Sequence, residues 1–117
     1  MTIKECYNAM GADYEDVSRR LRTDERIGKF LLKVLNDKSY ELLCQSMEDK
    51  NISEAFRAAH TLKGVCQNLS LSQLYKSTSL LADKLRNRQE YGEDLEPILK
   101  QVKADYHAMI ECIRCIS

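Results

Sequence analysis

At 117 residues, the chain has the length of one ordinary domain, which can bury a core without disulfides or a structural metal. Its composition is 44% hydrophobic and 31% charged, with 4 Gly, 1 Pro and no Trp, which favours amphipathic helices over a sheet with many turns. The 18 basic residues balance the 18 acidic residues, and no long block of one sign marks a nucleic-acid or polybasic membrane-binding surface, so the expected partners are proteins or small molecules.

Neither a leader segment nor a membrane span is predicted. The first ten residues, MTIKECYNAM, lack the basic start and continuous apolar centre of a signal peptide, and no apolar run approaches the length of a spanning helix. We therefore expect a cytoplasmic protein. Its cysteines are odd in number and lie mostly on predicted apolar helix faces, where free thiols act as small hydrophobes, so we expect them to be reduced and buried. They are Cys6, Cys44, Cys66, Cys112 and Cys115.

The first residues predict two short helices. Thr2 with Glu5 three positions later matches a capping box, and apolar residues then recur at helical spacing. Gly11 interrupts this pattern, and because a glycine inside a helix is unfavourable, a second helix is expected to begin near Tyr14. We assign residues 1–22 to an N-terminal helical extension that packs on a bundle formed by residues 23–117.

The middle of the chain predicts three more helices. Thr23 can cap the first of them, which ends at Asn36, and Ser39 opens the second. A polar turn at 49–51 precedes the third, which Asn51 or Ser53 can cap and which ends near Ser70. The inward residues of the first two are Ile27, Phe30, Leu31, Val34 and Leu35, then Tyr40, Leu43, Cys44 and Met47.

Two helices complete the prediction. One runs from Leu71 to about Arg88, and the other begins near Pro97, which a first helical turn tolerates, and is the longest in the chain. The last four helices have short connections and single apolar faces. This pattern predicts an all-α, antiparallel up-and-down four-helix bundle, with the additional short N-terminal helices packed across one end or side.

The helix that follows residue 51 carries the residues most indicative of function. Ala55, Ala59, Leu62, Cys66 and Leu69 fall on one side, with Ile52 as a first member, and this side is the predicted core face. His60, Lys63, Gly64 and Gln67 follow the spacing i, i+3, i+4, i+7 and form a second stripe, which faces away from the core. A histidine, a cation and a position without a side chain thus share one exposed surface.

This combination suits phosphoryl transfer. Imidazole titrates at about pH 6.5, so an exposed histidine offers an unprotonated nitrogen as a nucleophile at physiological pH. Lys63, one turn away, can offset the charge of a phosphoryl group on His60. Gly64 has no structural advantage in mid-helix, which points to the close approach of another molecule.

The motif HTLKG at 60–64, preceded by AFRAA and followed by a hydrophobic helix, resembles the histidine phosphotransfer (HPt) domains of multistep two-component phosphorelays, over about residues 23–88. The resemblance implies a free-standing HPt protein in which His60 accepts a phosphoryl group from the aspartate of one response-regulator receiver domain and passes it to another. It implies Lys63 as phosphoryl stabiliser and Gly64 as clearance for the receiver. Gln67 and Arg57 are assigned to partner binding.

The resemblance also implies the partners and cofactors. We expect receiver domains and a hybrid sensor histidine kinase as partners, no nucleic acid or membrane, and a monomer. No cofactor is expected on this chain, because Mg²⁺ belongs to the receiver. The chain has no glycine-rich phosphate loop or kinase motif, so it is expected to be a phosphotransfer intermediate without autokinase or nucleotide-binding activity.

Two alternatives stay open. A small residue is common in the family where Gln67 stands and a second glycine where Ser70 stands, so the chain could be a receiver-binding adaptor that has the HPt fold without transfer activity. Cys112 and Cys115 form a C-x-x-C pair that invites a metal or redox function, but no second pair completes a zinc site. His107 has no comparable stripe around it and is interpreted as a structural or surface residue.

Overall fold

The computed structural model describes residues 1–116 as a set of helices with no strand among them. The molecule is elongated, with principal extents of 43 × 23 × 21 Å. Its α-helices are α1 (Ile3–Ala9), α2 (Tyr14–Leu21), α3 (Asp24–Val34), α4 (Ser39–Glu48), α5 (Ile52–Asn68), α6 (Ser72–Leu85) and α7 (Glu96–Arg114). A 3-10 turn at Glu93–Leu95 leads into α7. No helix of the described residues is long and apolar enough to cross a membrane.

Local capping chemistry explains where several helices begin. Thr2 and Glu5 form the predicted capping box at α1, and the side chain of Thr23 accepts a hydrogen bond from the backbone of α3. At α5 the cap is Asn51, whose side chain accepts a hydrogen bond from the Glu54 amide. The two short N-terminal helices separate at Gly11, which has a left-handed φ of 65°.

The antiparallel four-helix bundle is confirmed and consists of α4 to α7. Helix α5 packs against α4 and α6, and α6 packs against α7. Between α4 and α7, the Tyr40 and Tyr106 rings stack with centroids 3.7 Å apart and planes 2° apart. Side chains from all four helices fill the core, including Leu43, Met47, Ala55, Ala59, Leu62, Cys66, Leu74, Leu81, Leu85, Leu99, Val102, Met109 and Ile113.

The N-terminal helices share this core. Cys6, Tyr7 and Val17 are fully buried, and the Tyr7 hydroxyl donates a 2.8 Å hydrogen bond to the Leu69 carbonyl at the end of α5. Helix α1 contacts α7 and α3, and α2 contacts α3. Residues 1–22 therefore pack on the rest of the chain. The assignment of residues 1–22 to an extension and residues 23–117 to a bundle stays a prediction.

Three expectations about individual positions were wrong. Leu35 was predicted to face the core, but it is 37% exposed because α3 ends at Val34. Helix α6 ends at Leu85, earlier than predicted, because Arg86 is extended and Asn87 has a positive φ of 59°. The third expectation was that the cysteines are buried. Cys6 and Cys66 are, but Cys112 is half-buried and Cys115 is exposed.

Candidate functional site

The His60 ridge, defined as Arg57, His60, Lys63, Gly64 and Gln67, lies on the side of α5 away from the core. The predicted core face of α5 is buried from Ile52 to Cys66, and this burial fixes the rotation of the helix about its axis. Four of the five ridge positions are exposed, and Lys63 is half-buried. The structure thus brings the predicted site residues to one surface, as helical spacing requires.

His60 lies in the middle of α5 with an exposed side chain. Within residues 1–116, no group forms a hydrogen bond or an ion pair with its imidazole. Its imidazole ring contacts Phe56, one turn earlier, at a centroid distance of 5.9 Å and an interplanar angle of 25°. Both ring nitrogens therefore stay open to an approaching reactant.

Lys63 lies one turn after His60 and packs towards α6. Its Nζ atom is 6.0 Å from the centroid of the Tyr75 ring, a cation–π arrangement. Lys63 makes no ion pair with any residue from 1 to 116, so no protein carboxylate neutralises its charge. The charge is therefore available to an anion that approaches this face of α5.

Gly64 has open space where a side chain would begin. A Cβ atom built at this position would meet no heavy atom within 4 Å. Its backbone is helical and its φ is not positive. Neither packing nor backbone conformation in the described chain explains the glycine, although glycine in an exposed helix interior costs about 1 kcal/mol relative to alanine.

Arg57 and Gln67 mark the two ends of the ridge. The Arg57 guanidinium forms an ion pair with Glu54 at 3.1 Å, so its charge is partly offset. The Gln67 side chain is exposed beside a cleft of about 430 Å³ that Asp16, Ser70 and Tyr75 also line. The Gln67 amide is thus exposed at the far end of the ridge from Arg57.

Contacts from α6 to the surroundings of His60 were not predicted from the sequence. The guanidinium carbon of Arg86 lies 5.8 Å from the centroid of the Phe56 ring, and Phe56 in turn contacts His60. Phe56 precedes His60 by four positions, so helical spacing alone places it next to the histidine. No sequence signal identifies Arg86 or Tyr75, because they reach the ridge through tertiary packing.

A polar cluster, made by Asp16, Arg20 and Ser70, fixes the end of α5. Arg20 donates hydrogen bonds to the carbonyls of Gln67 and Asn68 and to the Ser70 hydroxyl, at 3.1, 3.0 and 2.6 Å. The Ser70 hydroxyl donates to Asp16 at 2.6 Å. These hydrogen bonds, first from Ser70 and then from Arg20, lower the pKa of the Asp16 carboxyl.

The cysteines of residues 1–116 belong to no metal-binding group, and the pKa of three of their thiols is raised. No group of three or more His, Cys, Asp and Glu side chains within residues 1–116 could hold a metal ion. Burial raises the pKa of the Cys6 thiol to about 11 and that of Cys66 to about 12, and it also raises the pKa of Cys112. Such thiols are poor nucleophiles at neutral pH. His107 is exposed on α7, as predicted.

Comparison with known proteins gives a family for this chain. The family model of the Hpt domain matches residues 32–112, from late α3 into α7, and the match includes the whole His60 ridge. No curated protein matches the chain. No solved structure matches it. Since the match covers most of its length, the chain belongs to the Hpt domain family, whose members take part in phosphotransfer with response regulators and kinases in two-component phosphorelays.

Proposed function

We propose that this protein carries a phosphoryl group between the aspartates of response-regulator receiver domains as a phosphohistidine at His60. The observation that carries the proposal is the exposed imidazole, with both nitrogens open, beside Lys63 and the unfilled space at Gly64. These three features lie within one turn of α5. Family membership supplies the reaction class.

The reaction is a direct exchange of one phosphorus bond for another. An unprotonated nitrogen of His60 attacks the phosphorus atom of a receiver's aspartyl phosphate, forming an N–P bond. The P–O bond to aspartate breaks, and its electron pair leaves with the carboxylate. The other ring nitrogen keeps its proton or exchanges it with water. The reverse reaction, on a second receiver, regenerates the free imidazole.

The neighbouring ridge residues assist without taking part in the bond exchange. Lys63 offsets the negative charge of the phosphoryl group, since it is one turn away and has no carboxylate partner within residues 1–116. Gly64 leaves room for the receiver to close over His60, because a side chain there would project into space that is open in the free protein. Arg57 and Gln67 contact the docked receiver.

The test measures phosphoryl transfer onto a histidine. The protein is incubated with the phosphorylated receiver domains of its source organism and, separately, with phosphoramidate, a small P–N phosphoryl donor. We expect acid-labile, base-stable phosphate on the wild type and on His107→Gln, and none on His60→Gln. His107 is the matched control because it is the other of the two histidines and is also exposed.

The outcomes separate transfer from docking alone. Label that survives His60→Gln, or no label from any donor, would overturn the proposal. If receivers bind the wild type and His60→Gln equally well but label neither, the protein is a receiver-binding adaptor instead. Mass spectrometry of the labelled protein gives the modified residue directly.

A further inference from the structure

We infer that Phe56 and Arg86 are positioning residues for His60: Phe56 holds the plane of the imidazole, and Arg86 holds Phe56 from the end of α6. The inference rests on the proposed function, because it concerns how the phosphoryl acceptor is presented. The imidazole, the phenyl ring and the guanidinium form a chain of contacts with successive separations of 5.9 and 5.8 Å. We call these three side chains the His60 stack.

The stack restrains a side chain that is otherwise unsupported. No hydrogen bond from residues 1–116 orients the imidazole, and the ring torsion of a histidine has a broad energy profile. The phenyl ring lies 25° from the imidazole plane, so rotation of the imidazole across this face would break the contact. Phe56 thereby limits the directions in which the imidazole nitrogens can point.

Phe56 is itself fixed on two sides. It is half-buried and packs against the hydrophobic core, whereas His60 is exposed. Arg86 approaches its ring from the residue that follows α6. The core and Arg86 therefore restrain Phe56, and Phe56 in turn restrains the exposed imidazole of His60.

Arg86 is available for this contact because its ion pair is weak. Its guanidinium lies 3.8 Å from Asp83, and both side chains are at least half exposed. Arg88 differs, since it makes two hydrogen bonds to Asp94 at 2.6 and 3.0 Å and belongs to the loop before α7. Of these two arginines, Arg88 is held in the loop before α7, and Arg86 belongs to the stack.

Side chains of α6 reach the surroundings of His60 at two points. Tyr75, near the start of α6, contacts Lys63, which follows His60 in the chain. Arg86, just past the end of α6, contacts Phe56, which precedes His60. Because α5 and α6 are antiparallel, the two contacts flank His60. The first places the counter-charge, and the second places the nucleophile.

The kinetic test separates the rate of transfer from receiver affinity. Single-turnover transfer from a saturating phosphorylated receiver is measured for Phe56→Leu, Phe56→Tyr, Arg86→Gln and Arg86→Lys. We expect a transfer rate about fivefold lower for Phe56→Leu, the order of one lost aromatic contact, with Kd for the receiver changed less than about twofold. Phe56→Tyr and Arg86→Lys should retain most of the rate, and Arg86→Gln should lose about half.

Phe30→Leu is the matched control. Phe30 is the other of the two phenylalanines, is half-buried, and has Lys33 Nζ 5.0 Å from its ring centroid, but it lies on α3 outside the stack. We expect its saturating rate to equal that of the wild type. Equal rates for Phe56→Leu and the wild type, or equal losses for Phe56→Leu and Phe30→Leu, would overturn the inference.

A second readout does not depend on phosphotransfer. Nuclear magnetic resonance of the free protein should give rotamer-averaged couplings and altered ring-proton shifts for His60 in Phe56→Leu, with wild-type values in Phe30→Leu. Unchanged His60 couplings in Phe56→Leu would contradict the inference even if labelling succeeds. Absence of label on the wild type would instead contradict the proposed function, so the two failures are distinguishable.

Discussion

The Ser70 hydroxyl donates a 2.6 Å hydrogen bond to the Asp16 carboxylate, which joins the end of α5 to α2 across 54 positions of sequence. Ser70 has a left-handed φ of 56°. Its amide and that of Leu71 bond to the carbonyls of Gln67 and Cys66, the pattern of a Schellman motif, in which glycine is usual. A serine at this position is strained in its backbone, but its hydroxyl provides a hydrogen bond to α2 that glycine could not make.

Substitutions at Ser70 should separate strain from hydrogen bonding. Ser70→Ala keeps the strained φ and loses the hydroxyl, so the free energy of unfolding should fall by about 1–2 kcal/mol. Ser70→Gly also loses the hydroxyl but relieves the strain, so it should be more stable than the alanine variant by roughly 1 kcal/mol. Urea denaturation measures both. An alanine variant as stable as the glycine variant would contradict this account.

The same cluster should make stability depend on pH. The hydrogen bonds from Ser70 and Arg20 lower the pKa of Asp16 in the folded protein, so its contribution is fully present above its unfolded pKa of about 3.9 and is lost as pH falls through the folded value. The stability difference between wild type and Asp16→Asn should therefore shrink on acidification below about pH 4. Chemical denaturation across pH measures it.

Glu15→Gln is the control for Asp16→Asn. Glu15 lies on the same first turn of α2 and makes no hydrogen bond or ion pair within residues 1–116. Its substitution should produce a smaller and flatter stability difference over the same pH range. A pH dependence in Glu15→Gln as steep as that in Asp16→Asn would show that the cluster is not its origin.

Gly64→Ala should stabilise the fold while weakening partner binding. A Cβ atom there meets nothing within 4 Å, so the gain in helix propensity should raise the free energy of unfolding by about 1 kcal/mol. The same methyl group would stand in the space proposed for the receiver. Thermal unfolding and receiver titration measure the two effects.

Gly28→Ala provides the comparison. Gly28 is inside α3, and a Cβ there would meet only Ile3 Cδ1 at 3.6 Å, an ordinary contact. This variant should gain similar stability with receiver Kd unchanged. If Gly64→Ala bound receivers as tightly as Gly28→Ala, the clearance role of Gly64 would be refuted.

Loss of the Tyr7 hydroxyl should destabilise the contact between α1 and α5. Tyr7→Phe leaves the buried Leu69 carbonyl without its 2.8 Å hydrogen bond, which should cost about 1–2 kcal/mol. In Tyr14→Phe, the lost bond is to the exposed Asp24, so water can replace it and the loss should be smaller. Equal losses in denaturation would contradict the assigned burial effect.

Lys63→Gln should shorten the lifetime of the phosphohistidine and slow its formation. The lysine is one turn from His60 and has no carboxylate partner within residues 1–116, so its removal leaves phosphoryl charge without a nearby cation. We expect a several-fold effect, of the order of one charge-assisted hydrogen bond. Lys76→Gln, which removes an exposed lysine from α6, should match the wild type in phosphohistidine hydrolysis assays.

Features set by neighbours in the chain were predictable. The Thr2 capping box, the Thr23 cap and the break at Gly11 depend on contacts within about four residues, so their sequence patterns are sufficient. The clustering of His60 and Lys63 is equally local, since helical spacing alone places them on one face. The same reasoning was wrong for Leu35. This residue continues the apolar spacing of α3 but lies after the last turn of the helix, where it is exposed.

The sequence by itself determined the all-α class, the composition of the His60 ridge and its separation from the core face, because a helix repeats every 3.6 residues. Only the tertiary structure decided what surrounds the ridge: Arg86 against Phe56, Tyr75 against Lys63, and Asp16 bonded to Ser70. These contacts join residues far apart in sequence. They depend on how whole helices pack, which no local spacing encodes.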